Sequence, residues 1–202
     1  MLVRASDLGI GFGGVELLKG FNLEVGECQL LLLSGDNGVG KSCLLQTLAG
    51  LIPQTSGEIR RFGNASLIGA EFGLFENLKV SRAWQLLARR FGPPSETART
   101  AQSWLQERGL SHRRARDMSG GERNVYALGL AALTRADIYY LDEPFAGMDA
   151  QSTQVVADLV TSLLRDRRAV VLADHVGVMA TPHLRLRLFF GEAGERRFVL
   201  EL

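Results

Sequence analysis

Eight consecutive residues in the first quarter of the chain combine three glycines, a lysine and a serine at a fixed spacing. They read Gly35, Asp36, Asn37, Gly38, Val39, Gly40, Lys41 and Ser42. In this pattern glycines let backbone N–H groups turn inward around a β-phosphate, the lysine reaches the β- and γ-oxygens, and the serine hydroxyl can coordinate Mg²⁺. An apolar strand-like run precedes the loop and a helical run follows it, which favours a nucleotide site over a chance glycine turn.

Two adjacent carboxylates, Asp142 and Glu143, end a second apolar run, IYYL. An apolar strand that ends in Asp-Glu is weak evidence by itself. In enzymes with a phosphate-binding loop on the same sheet, however, the first carboxylate holds the Mg²⁺ shell and the second orients or deprotonates the attacking water. We therefore predict Asp142 as a metal residue and Glu143 as the catalytic base.

A second glycine pair, in MSGGER, has no lysine beside it. Ser119, Gly120 and Gly121 precede a helical stretch, and a helix N-terminus with free backbone amides is an anion site. Because the loop at residues 35–42 already surrounds the phosphates of its own nucleotide, we expect MSGGER to face the γ-phosphate of a nucleotide held by another copy. This expectation predicts a dimer with shared sites.

The elements around these motifs alternate between strands and helices. The runs ECQLLLLS, IYYLDE and AVVLAD are apolar on both faces, and amphipathic helical stretches separate them. Such alternation predicts crossover connections and a mostly parallel sheet. The opening of the chain reads as strands, residues 58–70 as two short strands around a Gly-Asn turn, residues 72–118 as a helical lobe, and the tail as a closing hairpin.

Composition limits the partners that the chain can bind directly. The 202 residues have a formal net charge of +1, so no nucleic acid or anionic membrane is expected as an electrostatic partner. The longest apolar run, LLLL, is far too short to span a bilayer, and the N-terminal stretch lacks an apolar signal core. Any role at a membrane is therefore expected to come through a partner chain.

The motifs and their order resemble those of ATP-binding cassette (ABC) ATPases, the nucleotide-binding subunits of ABC transporters. SGDNGVGKS is similar to their Walker A motif, MSGGE to the LSGGQ signature, YLDEP to Walker B and AGMD to the D-loop. The resemblance implies a P-loop NTPase of ABC type, an α/β fold with a RecA-like, mostly parallel sheet core, an N-terminal antiparallel strand region and an inserted helical lobe. It implies a single ABC ATPase domain over 1–202, with a catalytic core at 1–71 and 119–202 and a helical subdomain at 72–118.

The resemblance also assigns roles to individual residues. Ser119, Gly120 and Gly121 would complete the partner's site, Asp149 would couple the two sites, and His175 would contact the γ-phosphate unless it is a core histidine. Phe12 would stack on adenine, with core packing as its alternative. The implied ATP-binding set consists of Phe12, residues 35–42, Cys43, Ser119, Gly120, Gly121 and Asp149, and the implied catalytic set of Lys41, Glu143 and His175.

Two departures from the family pattern bear on the site. Met118 and Glu122 replace the usual Leu and Gln at the ends of the signature, which leaves its serine and glycines intact. Where the family has the Q-loop glutamine, this chain has Glu71. An ionised glutamate can coordinate Mg²⁺ but cannot donate an N–H to water, so we expect either a third metal residue beside Ser42 and Asp142 or a side chain that points to solvent.

Three functions fit these residues. The resemblance favours an ATP-hydrolysing subunit that binds ATP and Mg²⁺, pairs with a second ABC ATPase subunit as a homodimer, and powers an integral membrane transporter subunit. Such a subunit would be cytoplasmic and peripheral on the inner face of the cell membrane. The alternatives are a soluble ABC ATPase that acts on nucleic acid or ribosomes and a low-turnover regulator. Partial resemblances to haem-exporter ATPases and to lipid and amino-acid transporter ATPases leave the cargo open.

Overall fold

The computed structural model describes residues 1–69, 75–174, 178–179, 184–190 and 196–201. The strands among these residues are β1 Val3–Phe12, β2 Val15–Val25, β3 Leu30–Gly35, β4 Ser56–Arg61, β5 Ala65–Ile68, β6 Ile138–Asp142, β7 Ala169–Ala173, β8 Leu184–Phe190 and β9 Arg196–Glu201. The α-helices are α1 Lys41–Ala49, α2 Val80–Phe91, α3 Glu96–Glu107, α4 Gly120–Leu133 and α5 Ala150–Arg165.

The central sheet has the strand order β5-β6-β7-β3-β8-β9. All neighbouring pairs in it are parallel except β8 and β9, which form the antiparallel hairpin expected at the tail. The mostly parallel sheet predicted from the alternation of elements is therefore confirmed. Because parallel strands end at the same edge, the residues that follow β3, β6 and β7 meet there.

The middle strand β3 is buried on both faces, which explains why its sequence is a continuous apolar run. Leu30 and Leu32 pack into one core with residues of α4 and α5, whereas Leu31 and Leu33 pack into a second core with α1 and the N-terminal strands. Two layers thus enclose the sheet. The carboxyl end of β3, where the phosphate-binding loop begins, has rigid support on either side.

The N-terminal strands form a separate antiparallel sheet in the order β2-β1-β4. The two strands expected around the Gly-Asn turn are both present, but they belong to different sheets, since β4 pairs with β1 and β5 with β6. The side chain of Asp137 accepts a 3.0 Å hydrogen bond from Asn64 N, and Asp137 N donates to Asn64 O at 2.8 Å. These bonds fix the turn against the start of β6, so β5 enters the central sheet instead of folding back on β4.

The segment between β5 and α4 contains α2 and α3. Ser95 caps α3 as expected, and its hydroxyl accepts a 3.2 Å hydrogen bond from Ala98 N. Both helices pack on α4 so closely that a Cβ at Gly129 would lie 2.6 Å from Ala101 Cβ and 2.7 Å from Trp84 Cη2. Among the described residues, no helix has the length and apolar content that crossing a bilayer would require.

Candidate functional site

The loop between β3 and α1 has a backbone that only glycine adopts without strain at key positions. Gly35, Gly38 and Gly40 have φ of 136°, 78° and 116°, values that residues with a side chain rarely adopt. A Cβ at Gly35 would also collide with the carbonyl oxygen of Leu188 on the adjacent strand. The spacing of these glycines in the sequence therefore reflects the curvature of the loop.

Lys41, the first residue of α1, is enclosed by this loop. It is 5% exposed, and its Nζ donates to Gly35 O at 2.7 Å and to Asp36 O at 3.1 Å. A lysine with so little exposure is rare unless its charge is satisfied, and here backbone carbonyls satisfy it. Val39 is fully buried and anchors the middle of the loop in the core.

The first helical turn of α1 is attached to β1 through a cysteine. The Cys43 thiol donates to Gly11 O at 3.8 Å, and burial raises the pKa of this thiol. Gly11 precedes Phe12, the last residue of β1. The position of Phe12 in the chain therefore agrees with a place beside the loop, while its side chain lies outside the described part of the structure.

Asp142 ends β6 next to the phosphate-binding loop. Burial raises the pKa of its carboxyl above the ordinary value. The nearby Glu143 also raises this pKa, whereas Ser42 and Lys41 lower it. Asp142 Oδ1 is buried without a hydrogen-bond partner among the described residues, although buried carboxylate oxygens are normally satisfied.

These two side chains suit a hard divalent cation. A carboxylate oxygen without a donor among the described residues and the nearby Ser42 hydroxyl are ligands that Mg²⁺ prefers. Mg²⁺ typically takes only one or two protein ligands together with phosphate oxygens. Within the described residues there is no group of three or more His, Cys, Asp or Glu side chains that would bind a metal without such help. The residues present therefore fit Mg²⁺ bound together with a nucleotide.

Glu143 has an unusual backbone conformation for a residue with a long side chain. Its φ is 49°, in the left-handed region, and its N–H donates to Ala173 O at 2.9 Å on the neighbouring strand. Non-glycine residues adopt this region at a cost and are concentrated at functional sites. Glu143 thus starts a sharp turn directly after Asp142, at the edge where Asp174 also follows its own strand, β7.

The signature segment begins α4 with a reciprocal cap. Ser119 Oγ accepts from Glu122 N at 3.2 Å, and Glu122 Oε2 accepts from Ser119 N at 2.9 Å. This is a capping box, which satisfies two of the free donors at a helix N-terminus. Ser119 and Gly120 remain exposed, so the Ser119 O–H and the end of the helix can meet a ligand outside this chain.

The D-loop and the signature are in contact within one chain. Asp149 caps α5, accepting from Ser152 N at 2.7 Å and from the Ser152 hydroxyl at 3.3 Å. The backbone bond from Ser152 lowers the Asp149 pKa most. Gly121 packs directly on this turn, because a Cβ there would lie 2.8 Å from Ser152 Cβ.

Of the predicted site residues, the structure brings Lys41, Ser42, Asp142 and Glu143 together and places the signature beside Asp149. Glu71 and His175 lie outside the described residues. Sequence reasoning missed the capping role of Glu122, although Ser followed by Glu three residues later is a recognisable signal. It also missed Asn124, whose Nδ2 donates to Pro144 O at 2.9 Å, since no local pattern marks a contact between distant elements.

The fold and this arrangement define a P-loop NTPase of the ABC class. The chain belongs to the ABC transporter family, whose model matches residues 18–146. The cytochrome c biogenesis ATP-binding export protein CcmA of Paracoccus denitrificans is 33% identical over 178 residues, which cover 87% of this chain and 83% of that protein. The manganese transport system ATP-binding protein MntB of Bacillus subtilis is 27% identical over 191 residues, covering 86% and 76% of the two chains.

A solved structure shares the same fold. The ATP-binding cassette MJ0796, in a dimeric post-hydrolysis state bound to ADP and Pi, superposes with a TM-score of 0.79 at 21% identity and covers 98% of both chains. The expected α/β fold of ABC type is therefore confirmed. The chain is an ATP-binding and ATP-hydrolysing subunit of the ABC transporter class, and these comparisons give no support to a role on nucleic acid or ribosomes or to a low-turnover regulator.

Proposed function

We propose that this chain hydrolyses ATP at sites shared between two copies and transmits the resulting conformational change to an integral membrane transporter subunit. The observation that carries the proposal is the convergence of a buried lysine, a hydroxyl and a half-buried carboxylate at the ends of β3 and β6. Here Lys41 neutralises the β- and γ-phosphates, and the backbone of residues 35–42 and Cys43 encloses them. Phe12 stacks on the adenine ring.

The second part of the proposal concerns the metal. Ser42 and Asp142 would hold Mg²⁺, and Glu71 is proposed as a third oxygen ligand. When bound, the ion neutralises charge that develops on the phosphate oxygens. Asp142 Oδ1, which has no hydrogen-bond partner among the described residues, supports this assignment because it is otherwise a costly buried acceptor.

Water activation is proposed for Glu143, with His175 contacting the γ-phosphate. Glu143 follows the metal carboxylate directly, and its left-handed backbone turns the chain away from the strand at this point. A carboxylate so placed can accept a proton from the attacking water.

The third part concerns the dimer. Ser119, Gly120 and Gly121 of one copy are proposed to contact the γ-phosphate held by the other, and Asp149 to link the two sites across the interface. The N-terminus of α4 supports this role, because Ser119 and Gly120 are exposed there and the dipole of the helix favours an anion. A homodimer is the simplest assembly, since each chain carries both halves of a site.

The fourth part concerns the membrane. We place the chain in the cytoplasm, on the inner face of the cell membrane, through contact with the membrane subunit. Residues 72–118 form the proposed helical subdomain for this contact, and 1–71 with 119–202 the catalytic core. Relatives at similar identity are named for cytochrome c biogenesis export and manganese transport, so the cargo is proposed to depend on the membrane subunit.

Replacement of Lys41 tests the nucleotide site. Lys41→Ala should weaken ATP binding at least about 10-fold, because the lysine contributes charge to the phosphates in ground state and transition state alike. The matched control is Lys79→Ala, which removes a lysine of the 75–80 segment rather than of the loop. Calorimetry that gives equal ATP affinity for Lys41→Ala and the wild type would contradict the proposal.

A further inference from the structure

The backbone at Glu143 requires support from its surroundings. Its φ of 49° is strained for a glutamate, and the next residue, Pro144, further restricts the conformations that Glu143 can adopt. Pro144 also has no N–H, so it cannot donate a hydrogen bond to hold this turn. Such a conformation persists only where neighbouring groups fix it.

Three of the hydrogen bonds at this turn can be named among the described residues. Glu143 N donates to Ala173 O at 2.9 Å, and Ala146 N donates to Glu143 O at 3.1 Å. The third comes from a different part of the fold, because Asn124 Nδ2 donates to Pro144 O at 2.9 Å across 20 residues of sequence. It is a side-chain bond, so it can be removed without changing the backbone.

Asn124 lies on the face of α4 that carries the signature contact. Gly121 and Asn124 are three residues apart, so they share one face of the helix. Gly121 packs on Ser152 at the start of α5, and Asn124 binds the carbonyl at the start of the same connection. The signature helix α4 therefore contacts both ends of the connection between β6 and α5.

We propose that Asn124 is a positioning residue for hydrolysis, which holds the carboxylate of Glu143 in place through the carbonyl of Pro144. The proposal rests on the proposed role of Glu143 as the base. It assigns α4 two tasks within one chain. The N-terminus of α4 faces the nucleotide of the partner copy, and its fifth residue fixes the turn that carries the base of its own site.

Two near-isosteric variants test this role. Asn124→Leu removes the donor without adding charge, and Asn124→Asp removes it while keeping the shape of the side chain. We expect kcat for ATP hydrolysis to fall about 5- to 10-fold in both variants, as loss of one hydrogen bond predicts, with KM for ATP changed less than about 2-fold. Asn124→Gln keeps an amide donor and should recover most of kcat.

A matched control and a double variant separate positioning from general damage. Asn22→Asp makes the same chemical change at an exposed residue of the N-terminal sheet, where the amide donates only at 3.4 Å to Gly20 O, and should leave kcat unchanged. In a Glu143→Gln background, Asn124→Leu should have little further effect on the single-turnover rate, because both act on the same step.

Unchanged kcat in Asn124→Leu, with hydrolysis abolished in Glu143→Gln, would overturn the role of Asn124 alone. The same conclusion would follow if Asn124→Gln were as slow as Asn124→Leu, or if kcat fell only together with the melting temperature. Full activity in Glu143→Gln would instead overturn the proposed base and this inference with it.

Discussion

The adjacent glycines of the signature are expected to respond in opposite ways to one added methyl group. A Cβ at Gly120 would meet no atom within 4 Å, whereas a Cβ at Gly121 would lie 2.8 Å from Ser152 Cβ and 2.9 Å from Ser152 Oγ. Carbon atoms in contact prefer about 3.5–4.0 Å. The Gly121→Ala change therefore requires α4 and α5 to separate by roughly 0.7 Å at this point.

The size of the effect follows from comparing the two variants. Both gain up to about 1 kcal/mol because alanine restricts the unfolded chain and favours the helix, and this gain cancels between them. Overpacking at Gly121 costs about 1–3 kcal/mol. The unfolding free energy of Gly121→Ala should therefore be about 1–3 kcal/mol lower than that of Gly120→Ala. For a chain of this size, each kcal/mol corresponds to a difference of roughly 2–4 °C in melting temperature.

Activity should follow a different order from stability. Gly120→Ala should fold at least as stably as the wild type and still lose most of its ATPase activity, because the methyl group stands on the surface proposed to meet the partner's nucleotide. The assays are urea unfolding of the nucleotide-free chain and steady-state hydrolysis at saturating ATP. Equal stability of the two variants would refute the packing argument, and a fully active Gly120→Ala would refute the proposed signature surface.

Two further predictions concern buried polar groups. Tyr126 is 2% exposed and its hydroxyl lacks a partner among the described residues, so Tyr126→Phe should raise the unfolding free energy by about 1 kcal/mol in thermal or urea unfolding. Burial raises the pKa of Tyr126 to about 12. The unfolding free energy of the wild type is therefore not reduced by ionisation of Tyr126 below about pH 10. It falls as the pH rises through 12, because the hydroxyl ionises more readily in the unfolded chain. Wild type should lose stability in this range more steeply than Tyr126→Phe, and parallel curves would contradict this. Asp142→Asn should slow Mg²⁺-dependent hydrolysis on the order of 100-fold. The same variant should raise the melting temperature of the nucleotide-free chain at pH 7.5, because it removes the charge of a half-buried carboxylate whose pKa is raised by desolvation; a lower melting temperature would contradict the assignment.

The phosphate-binding loop could be predicted from the sequence because its chemistry is local. Gly35 and Gly40 are required by their positive φ, and Lys41 by the reach of its side chain. All three lie within eight consecutive residues, so a local sequence pattern is enough to identify them. The parallel sheet could also be predicted from the sequence, since β3, β6 and β7 are continuous apolar runs that must be buried on both faces.

Contacts between elements that are far apart in the sequence could not be predicted in the same way. The Gly-Asn turn predicts a reversal of the chain, whereas the bonds of Asn64 to Asp137 attach this turn to the start of β6, with which β5 pairs in the other sheet. The pairing of Asn124 with Pro144 depends on how α4 packs against the β6–α5 connection. Neither partner carries a sequence pattern that would indicate the other.

The shared-site dimer is the central claim, and the mass of Glu143→Gln in the presence of ATP and Mg²⁺ tests it most directly. If Glu143 acts on the water while Lys41 and the signature bind the nucleotide, this variant binds ATP without hydrolysing it and remains closed. Size-exclusion chromatography with light scattering should then give twice the 22.1 kDa chain mass, with one ATP retained per chain. A variant that stays monomeric in saturating ATP and Mg²⁺, or hydrolyses ATP at the wild-type rate, would contradict the account.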